Sequence, residues 1–201
     1  LDGLFWHKEQ NVGVTYHLDK TVQAESKGLT MIHIFGDEMY RKKNVVFSKL
    51  KHKLGLTHRR IHARKCVVEL IDVDIKAKFL DKYHLQGNCT SGSVHLGLKH
   101  RGRLVAVMDF GTQRPGIGKS DDDCMELLRY ATVSNFSVVG GAGKLLEHFK
   151  SMKLTSKIVS YADRRWSNGN VYEKLGFTLT RKSRPNYWYT KSFTERFHRI
   201  G

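Results

Sequence analysis

The sequence predicts a mixed α/β (α+β) fold built from two segments of different texture. Three observations carry that expectation. Apolar runs of strand length alternate with segments of helical apolar spacing along the chain. Hydrophobic residues fill 40% of the 201 positions, enough for a packed core. The pattern also shifts near residue 58. Before it, one short apolar run lies between two helical segments. After it, the elements read β-α-β-β-β-α-β-α-β-β. The expected domains are therefore 1–58 and 59–201.

In the first segment, "YHLDKTVQAESKG" (Tyr16 to Gly28) reads as a helix closed by a glycine. "LTMIHIF" (Leu29 to Phe35) reads as a buried strand. From Asp37 to Gly55, Met39, Val45, Val46, Leu50 and Leu54 recur at near-helical spacing. Acids stand in the first turn and lysines in the last. "LTHRRIHAR" (Leu56 to Arg64) reads as a basic connector.

In the second segment, "KCVVELI" reads as a strand and "DIKAKFLDKYH" as a helix. Ser93 to Gly111 reads as a hairpin that turns at Arg101-Gly102. "CMELLRYATV" and "KIVSYAD" are strands, with a glycine-led helix, "GGAGKLLEHFKSM", between them. "NGNVYEKLGF" is a short helix ended by Gly176. "FTLTRK" and "NYWYTKS" form a closing hairpin.

A formal charge of +16 suits a polyanionic partner, nucleic acid above all, although a basic protein without such a partner is the alternative. Cys66, Cys89 and Cys124 are scattered and odd in number, which argues against a disulfide framework and fits a reducing compartment. No Cys-x-x-Cys suggests structural zinc, and no apolar run reaches membrane-spanning length. The chain starts at Leu1 on a motif-like stretch, so a truncated N-terminus is expected, and a clipped C-terminus after "ERFHRIG" is a further expectation.

"SVVGGAGKLLEHF" places glycines before an apolar helix, where free N–H groups can face an anion. It is neither a Walker loop nor a dinucleotide fingerprint, and tight helix–strand packing explains a glycine cluster equally well. The order hairpin, strand, glycine loop, helix, strand, then "YEKLGF" resembles the GNAT-type N-acetyltransferase fold, with a mixed sheet. In that family an Arg/Gln-x-x-Gly-x-Gly/Ala loop cradles the acyl-CoA pyrophosphate. Here it falls on Ser137-x-x-Gly140-x-Ala142, or one residue on, Val138-x-x-Gly141-x-Gly143, without the leading Arg or Gln. The resemblance implies acetyl-CoA as cofactor, held by Val139, Gly140, Gly141, Ala142, Gly143 and Lys144. It also implies Tyr172 as general acid; a tyrosine packed beneath the last helix is the alternative.

"SYADRRWSNGNVYEKLGF" (Ser160 to Phe177), with "LLRYATVSNFSVVGGAGKLLEHF" and "RPNYWYTK", resembles the acetyltransferase-like domain of phage DNA-modifying proteins and of phage homing endonucleases over roughly 62–195. Asp163 is placed to orient a base, a base amine or a nearby arginine, and the acyltransferase resemblance adds Asp163, Asn168 and Tyr172 to the cofactor contacts; turn formation and helix capping are the alternatives for Asp163 and Asn168. Arg164, Arg165, Arg181 and Arg184 are candidate phosphate contacts. Trp166, Tyr187, Trp188 and Tyr189 are candidate stacking surfaces, or else core or edge packing.

"LDGLFWHKE", "YHLDKT" and "GLTMIHIFGDE" resemble the back half of Vsr-like (EDxHD) homing endonucleases over residues 1–55, a partial restriction-endonuclease-like unit. That resemblance implies Mg²⁺-assisted phosphodiester hydrolysis of double-stranded DNA in the cytoplasm of a phage-infected bacterium. His7 would handle the proton and His17 would meet the scissile phosphate. Lys20 would neutralise charge, with Asp2 and Asp19 as lesser metal contacts. The family's principal metal-binding acid falls upstream of Leu1. A surface histidine at His7 and a solvated helix face at His17 and Lys20 are the alternatives. The sequence thus supports a nuclease fragment with a DNA-binding second domain. It supports next a CoA-dependent N-acyltransferase or nucleobase-modifying transferase, then a DNA-binding module without chemistry.

Overall fold

In the computed structural model, residues 2–5, 13–113, 123–183, 185, 188–192 and 194–198 are described. The chain divides into two compact units. One is 44–161; the other combines 1–43 with 162–201. The expected segments 1–58 and 59–201 cut the chain differently, because the last forty residues group with the N-terminal segment.

The 44–161 unit is a mixed α/β structure. Its main sheet orders β2 (Val67–Leu70), β3 (Gly92–His100), β4 (Arg103–Thr112), β5 (Cys124–Thr132) and β7 (Lys157–Val159). The first four run antiparallel, and β7 joins β5 in parallel, so the expected mixed sheet is present. Arg101 and Gly102 both hold positive φ, 50° and 74°, the twist a tight hairpin between β3 and β4 requires. Helix α4 (Val73–Tyr83) buries Phe79 and Leu80 against Val107 and Ala131, and α5 (Gly141–Ser151) buries Leu145, Leu146 and Phe149. Phe149 stacks on Phe110 of β4.

The basic connector contains an unexpected strand. β1 (Arg60–His62) pairs in parallel with β6 (Ser137–Val139), which precedes α5. Parallel pairing of segments so distant in sequence leaves no local signature.

In the other unit, α1 (Tyr16–Ser26) forms as expected and Gly28 closes it at φ 72°. The strand expected at Leu29–Phe35 does not form. A strand needs a ladder, and among the described residues this run has one bridge, between Asp2 and Phe35, while Leu29 and Met31 are exposed. The helix expected from Asp37 to Gly55 is two, α2 (Gly36–Arg41) in this unit and α3 (Lys43–Lys53), which past its first residue belongs to the 44–161 unit. Lys42 leaves helical space at φ −125°. One such residue leaves the apolar spacing on either side in phase, so periodicity does not register it. Helix α6 (Asn170–Lys174) ends before Gly176 as expected. The closing hairpin is shifted: β8 (Trp188–Lys191) pairs with β9 (Glu195–His198), whereas Phe177–Lys182 carries no strand. The described part of this unit shows no multi-stranded sheet of restriction-endonuclease type. No described helix is long and apolar enough to cross a membrane.

Candidate functional site

Among the described residues of the 44–161 unit, the edge of the main sheet at β7 opens in a way that can admit a ligand. β7 pairs with β5 only where Cys124–Glu126 meets Lys157–Val159. β5 continues to Thr132. From Leu127 onward that edge carries no strand among the described residues, and Ser160 Oγ donates to the Leu127 carbonyl where the two strands part. Helix α5 starts beyond the end of β5. Gly140 caps it at φ 75°, a conformation that a side chain strains, and the added Cβ would meet only the Ala63 Cβ at 3.7 Å. The N–H groups of Gly141, Ala142 and Gly143 have no acceptor within the helix; Lys144 N–H is the first to donate back, to Gly140.

The other members of the glycine cluster divide between structure and access. Val139 and Gly140 are exposed. Gly141 is buried, and a Cβ there would stand 2.8 Å from Val138 Cγ1 and 3.1 Å from the Tyr130 hydroxyl, so its smallness serves packing. Burial raises the Tyr130 pKa well above the ordinary phenol value. Lys144 is no free cation for a phosphate: its ammonium donates to the carbonyls of Ala63 and Cys66, at 3.1 and 2.5 Å. The absent leading Arg or Gln has neighbours from another strand. Ser137 pairs with Arg60 and donates its N–H to the Arg59 carbonyl. An open depression of about 440 Å³ lies against Lys144, His148, Cys66, Val67 and Val68.

A charged cluster that the sequence reading missed lies within the same unit. Lys76 on α4 and Asp109 on β4 are wholly buried, with Nζ 3.6 Å from Oδ2. Lys76 donates to the Asn88 side-chain oxygen and the Cys89 carbonyl, and His95 Nδ1 stands 2.6 Å from Asp109 Oδ1. Burial raises the Asp109 pKa, opposed by the His95 hydrogen bond and the Lys76 charge. The signal was present: Lys76 precedes Phe79 and Leu80 by three and four places, on the apolar face, and Asp109 interrupts the apolar run of β4.

In the other unit, the structure brings two sequence candidates together. Asp2 Oδ2 lies 3.7 Å from His17 Nδ1, and both meet His33, which the sequence reading passed over within an apolar run. Asp19 and Lys20 are exposed on α1, outside this cluster, and Lys20 sits over the Tyr16 ring at 4.5 Å. His7 and Arg184 lie outside the described residues, as does Tyr187.

Two of the candidate phosphate contacts of this unit, Arg164 and Arg165, are engaged in ion pairs. Arg164 chelates Glu25. Arg165 bonds Asp163 through Nε and Nη2 and Glu38 through Nη1. Although burial lowers the Arg165 pKa, Asp163 and Glu38 outweigh it and raise the net value. Arg196 joins Asp37 to Glu38, and both Arg165 and Arg196 stack on Phe35. Asp163 therefore orients an arginine. Asn168 is exposed, and the Tyr172 ring meets Phe177 edge-on. Trp166 is 5% exposed and belongs to the interior, which removes it as a stacking surface. Trp188 is half-buried beside Arg196, whereas Tyr189 and Arg181 are exposed.

No protein-family model and no curated protein matches the chain. Among solved structures, an aminoglycoside N-acetyltransferase in complex with CoA is 14% identical at a TM-score of 0.45, covering 62% of this chain and 98% of that one. A ribosomal-protein-alanine N-acetyltransferase from Brucella melitensis is 17% identical at 0.43, covering 59% and 96%. An integron cassette protein from V. cholerae is 14% identical at 0.42, covering 64% and 94%. Nothing in these comparisons supports a Vsr-like unit. Identities this low concern the fold alone, and TM-scores below 0.5 carry neither activity nor ligand to this chain.

Proposed function

We propose that the 44–161 unit has a GNAT-like fold, binds an acyl-CoA and passes its acyl group to an amine. The observation that carries this reading is the parting of β5 and β7 after three paired residues, next to a helix opened by a left-handed glycine. The edge of β5 beyond Leu128, unpaired on that side among the described residues, offers backbone donors and acceptors to an extended chain containing amides. The start of α5 offers three free N–H groups and the positive end of a helix dipole to a pyrophosphate. Arg59 and Arg60, in register beside Ser137, supply cationic charge where the family pattern has its leading Arg or Gln. The cofactor would contribute an activated thioester. The chain's residues would hold it and present its acyl end along the open strand edge.

Ala142→Asp tests the reading. An acid in the first turn favours the helix itself and repels a bound pyrophosphate. The expected result is acetyl-CoA binding by the wild type, weakened by at least about tenfold in the variant with no loss of thermal stability. Equal binding by both proteins, or none by the wild type, would remove acyl-CoA from this unit.

A second reading attaches to the other unit: metal-assisted hydrolysis of double-stranded DNA, with the +16 charge drawing the duplex. The convergence of Asp2 and His17 favours it. Duplex cleavage lost in His17→Ala would support it; cleavage indifferent to that change would end it.

A further inference from the structure

We propose that Asp2, His17 and His33 form a binding site for a divalent transition-metal ion of the zinc type. It requires neither acyl transfer nor phosphodiester cleavage.

Thr21 decides where His33 carries its proton. The Thr21 hydroxyl has one hydrogen, which it donates to the His17 carbonyl at 2.8 Å. Its oxygen, 3.0 Å from His33 Nε2, must therefore accept from that nitrogen. Neutral His33 then holds its hydrogen on Nε2 and a lone pair on Nδ1. That lone pair stands 3.1 Å from Asp2 Oδ2 and 3.2 Å from His17 Nδ1. His33 and Asp2 are 5% and 8% exposed, so water does little to dilute the repulsion between the His33 Nδ1 lone pair and the Asp2 carboxylate, which His17 Nδ1 also faces. A cation among the three atoms turns that repulsion into attraction.

The spacing fits a metal ion. The three donor atoms stand 3.1, 3.2 and 3.7 Å apart. Donors bound at about 2.0–2.1 Å around a tetrahedral centre are separated by about 3.3–3.4 Å. The cluster therefore has the dimensions of one face of such a tetrahedron, with a fourth position left for water or a ligand. Two imidazole nitrogens and one carboxylate favour Zn²⁺, Co²⁺ or Ni²⁺. Mg²⁺ takes oxygen donors and keeps its waters. The Mg²⁺ implied by the nuclease resemblance does not fit this donor set. Thr21 holds the far nitrogen of His33, the outer support that metal-bound histidines commonly have.

Titrating the whole chain with Co²⁺ while recording visible absorption tests the site. The chain holds 11 histidines, so the signal must be assigned by variants. The wild type should develop the intense bands of tetrahedral Co²⁺ at one ion per chain, and Zn²⁺ should abolish them. His33→Ala and Asp2→Asn should lose them while circular dichroism shows the fold intact. Thr21→Val, close in shape, should keep the bands with affinity lowered about 10- to 100-fold. His52→Ala, at an exposed position of α3, should behave as wild type. Absence of bands in the wild type would overturn the proposal. So would bands unchanged in His33→Ala, or Mg²⁺ competing as well as Zn²⁺.

Discussion

The two units bury different things. In 44–161 the interior is apolar: Leu96, Leu98, Val107, Met108, Phe110, Leu145 and Leu146 are essentially inaccessible, and Lys76, Asp109 and Glu126 are exceptions within that core. In the unit of 1–43 and 162–201, the buried hydrophobics among the described residues are Ala24 and Trp166, beside buried Asp2, Thr21, His33 and Glu38. One unit rests on area removed from water; the other rests on hydrogen-bonded charge. The difference teaches where a charged side chain matters most. A charge inside an apolar core depends wholly on its partners, whereas a charge inside a network shares the loss.

The sharpest way to break that comparison is Lys76→Met. The substitution keeps much of the side-chain volume but removes the cation facing Asp109 and the donor to Asn88 and Cys89. Breaking one side of a buried pair costs about 3–5 kcal/mol. Urea unfolding of the 44–161 signal should show a loss of that size, with little effect of added salt because the pair is screened from solvent. A loss below about 1 kcal/mol, the range of exposed pairs, would mean the core tolerates the charge for reasons other than its partners.

Much of this core could be read from the sequence, and its exceptions could not. The hairpin of β3 and β4 follows from alternation and from Arg101-Gly102, and α5 follows from Leu145, Leu146 and Phe149 at helical spacing. Pattern reading assigns Lys76, Asp109 and His33 to noise because each is one polar residue in an apolar context. Their roles appear only when distant segments meet, α4 with β4, or Asp2 with His33. The same limit hid the pairing of β1 with β6 and gave Leu29–Phe35 a ladder it lacks. Arg165 was legible as a cation but not as a partner of Glu38, which stands far away in sequence.

Glu38→Gln probes the networked unit. Its carboxylate accepts from Arg165, from Arg196 and from the Phe35 N–H that opens α2. The amide keeps one acceptor and loses the charge. Hydrogen bonds to charged groups are worth about 1.5–3 kcal/mol, and Arg165 and Arg196 retain Asp163 and Asp37, so the loss should fall at the lower end. Hydrogen exchange should accelerate in 36–41 and 163–166 and stay unchanged in β3 and β4. A loss matching that of Lys76→Met would erase the distinction between networked and isolated charge.

Glu69→Gln supplies the smallest effect. Glu69 on β2 pairs with Lys99 on β3 at 2.6 Å, shorter than the Lys76–Asp109 separation. Judged by distance alone it would be the stronger pair. Its side chains are 42% and 35% exposed, however, so water competes for both and salt screens what remains. The expected cost is below about 1 kcal/mol in low salt and negligible at about 1 M salt, read as a shift in urea midpoint. A cost larger than that of Glu38→Gln, persisting at high salt, would show that partner distance governs these ion pairs rather than burial.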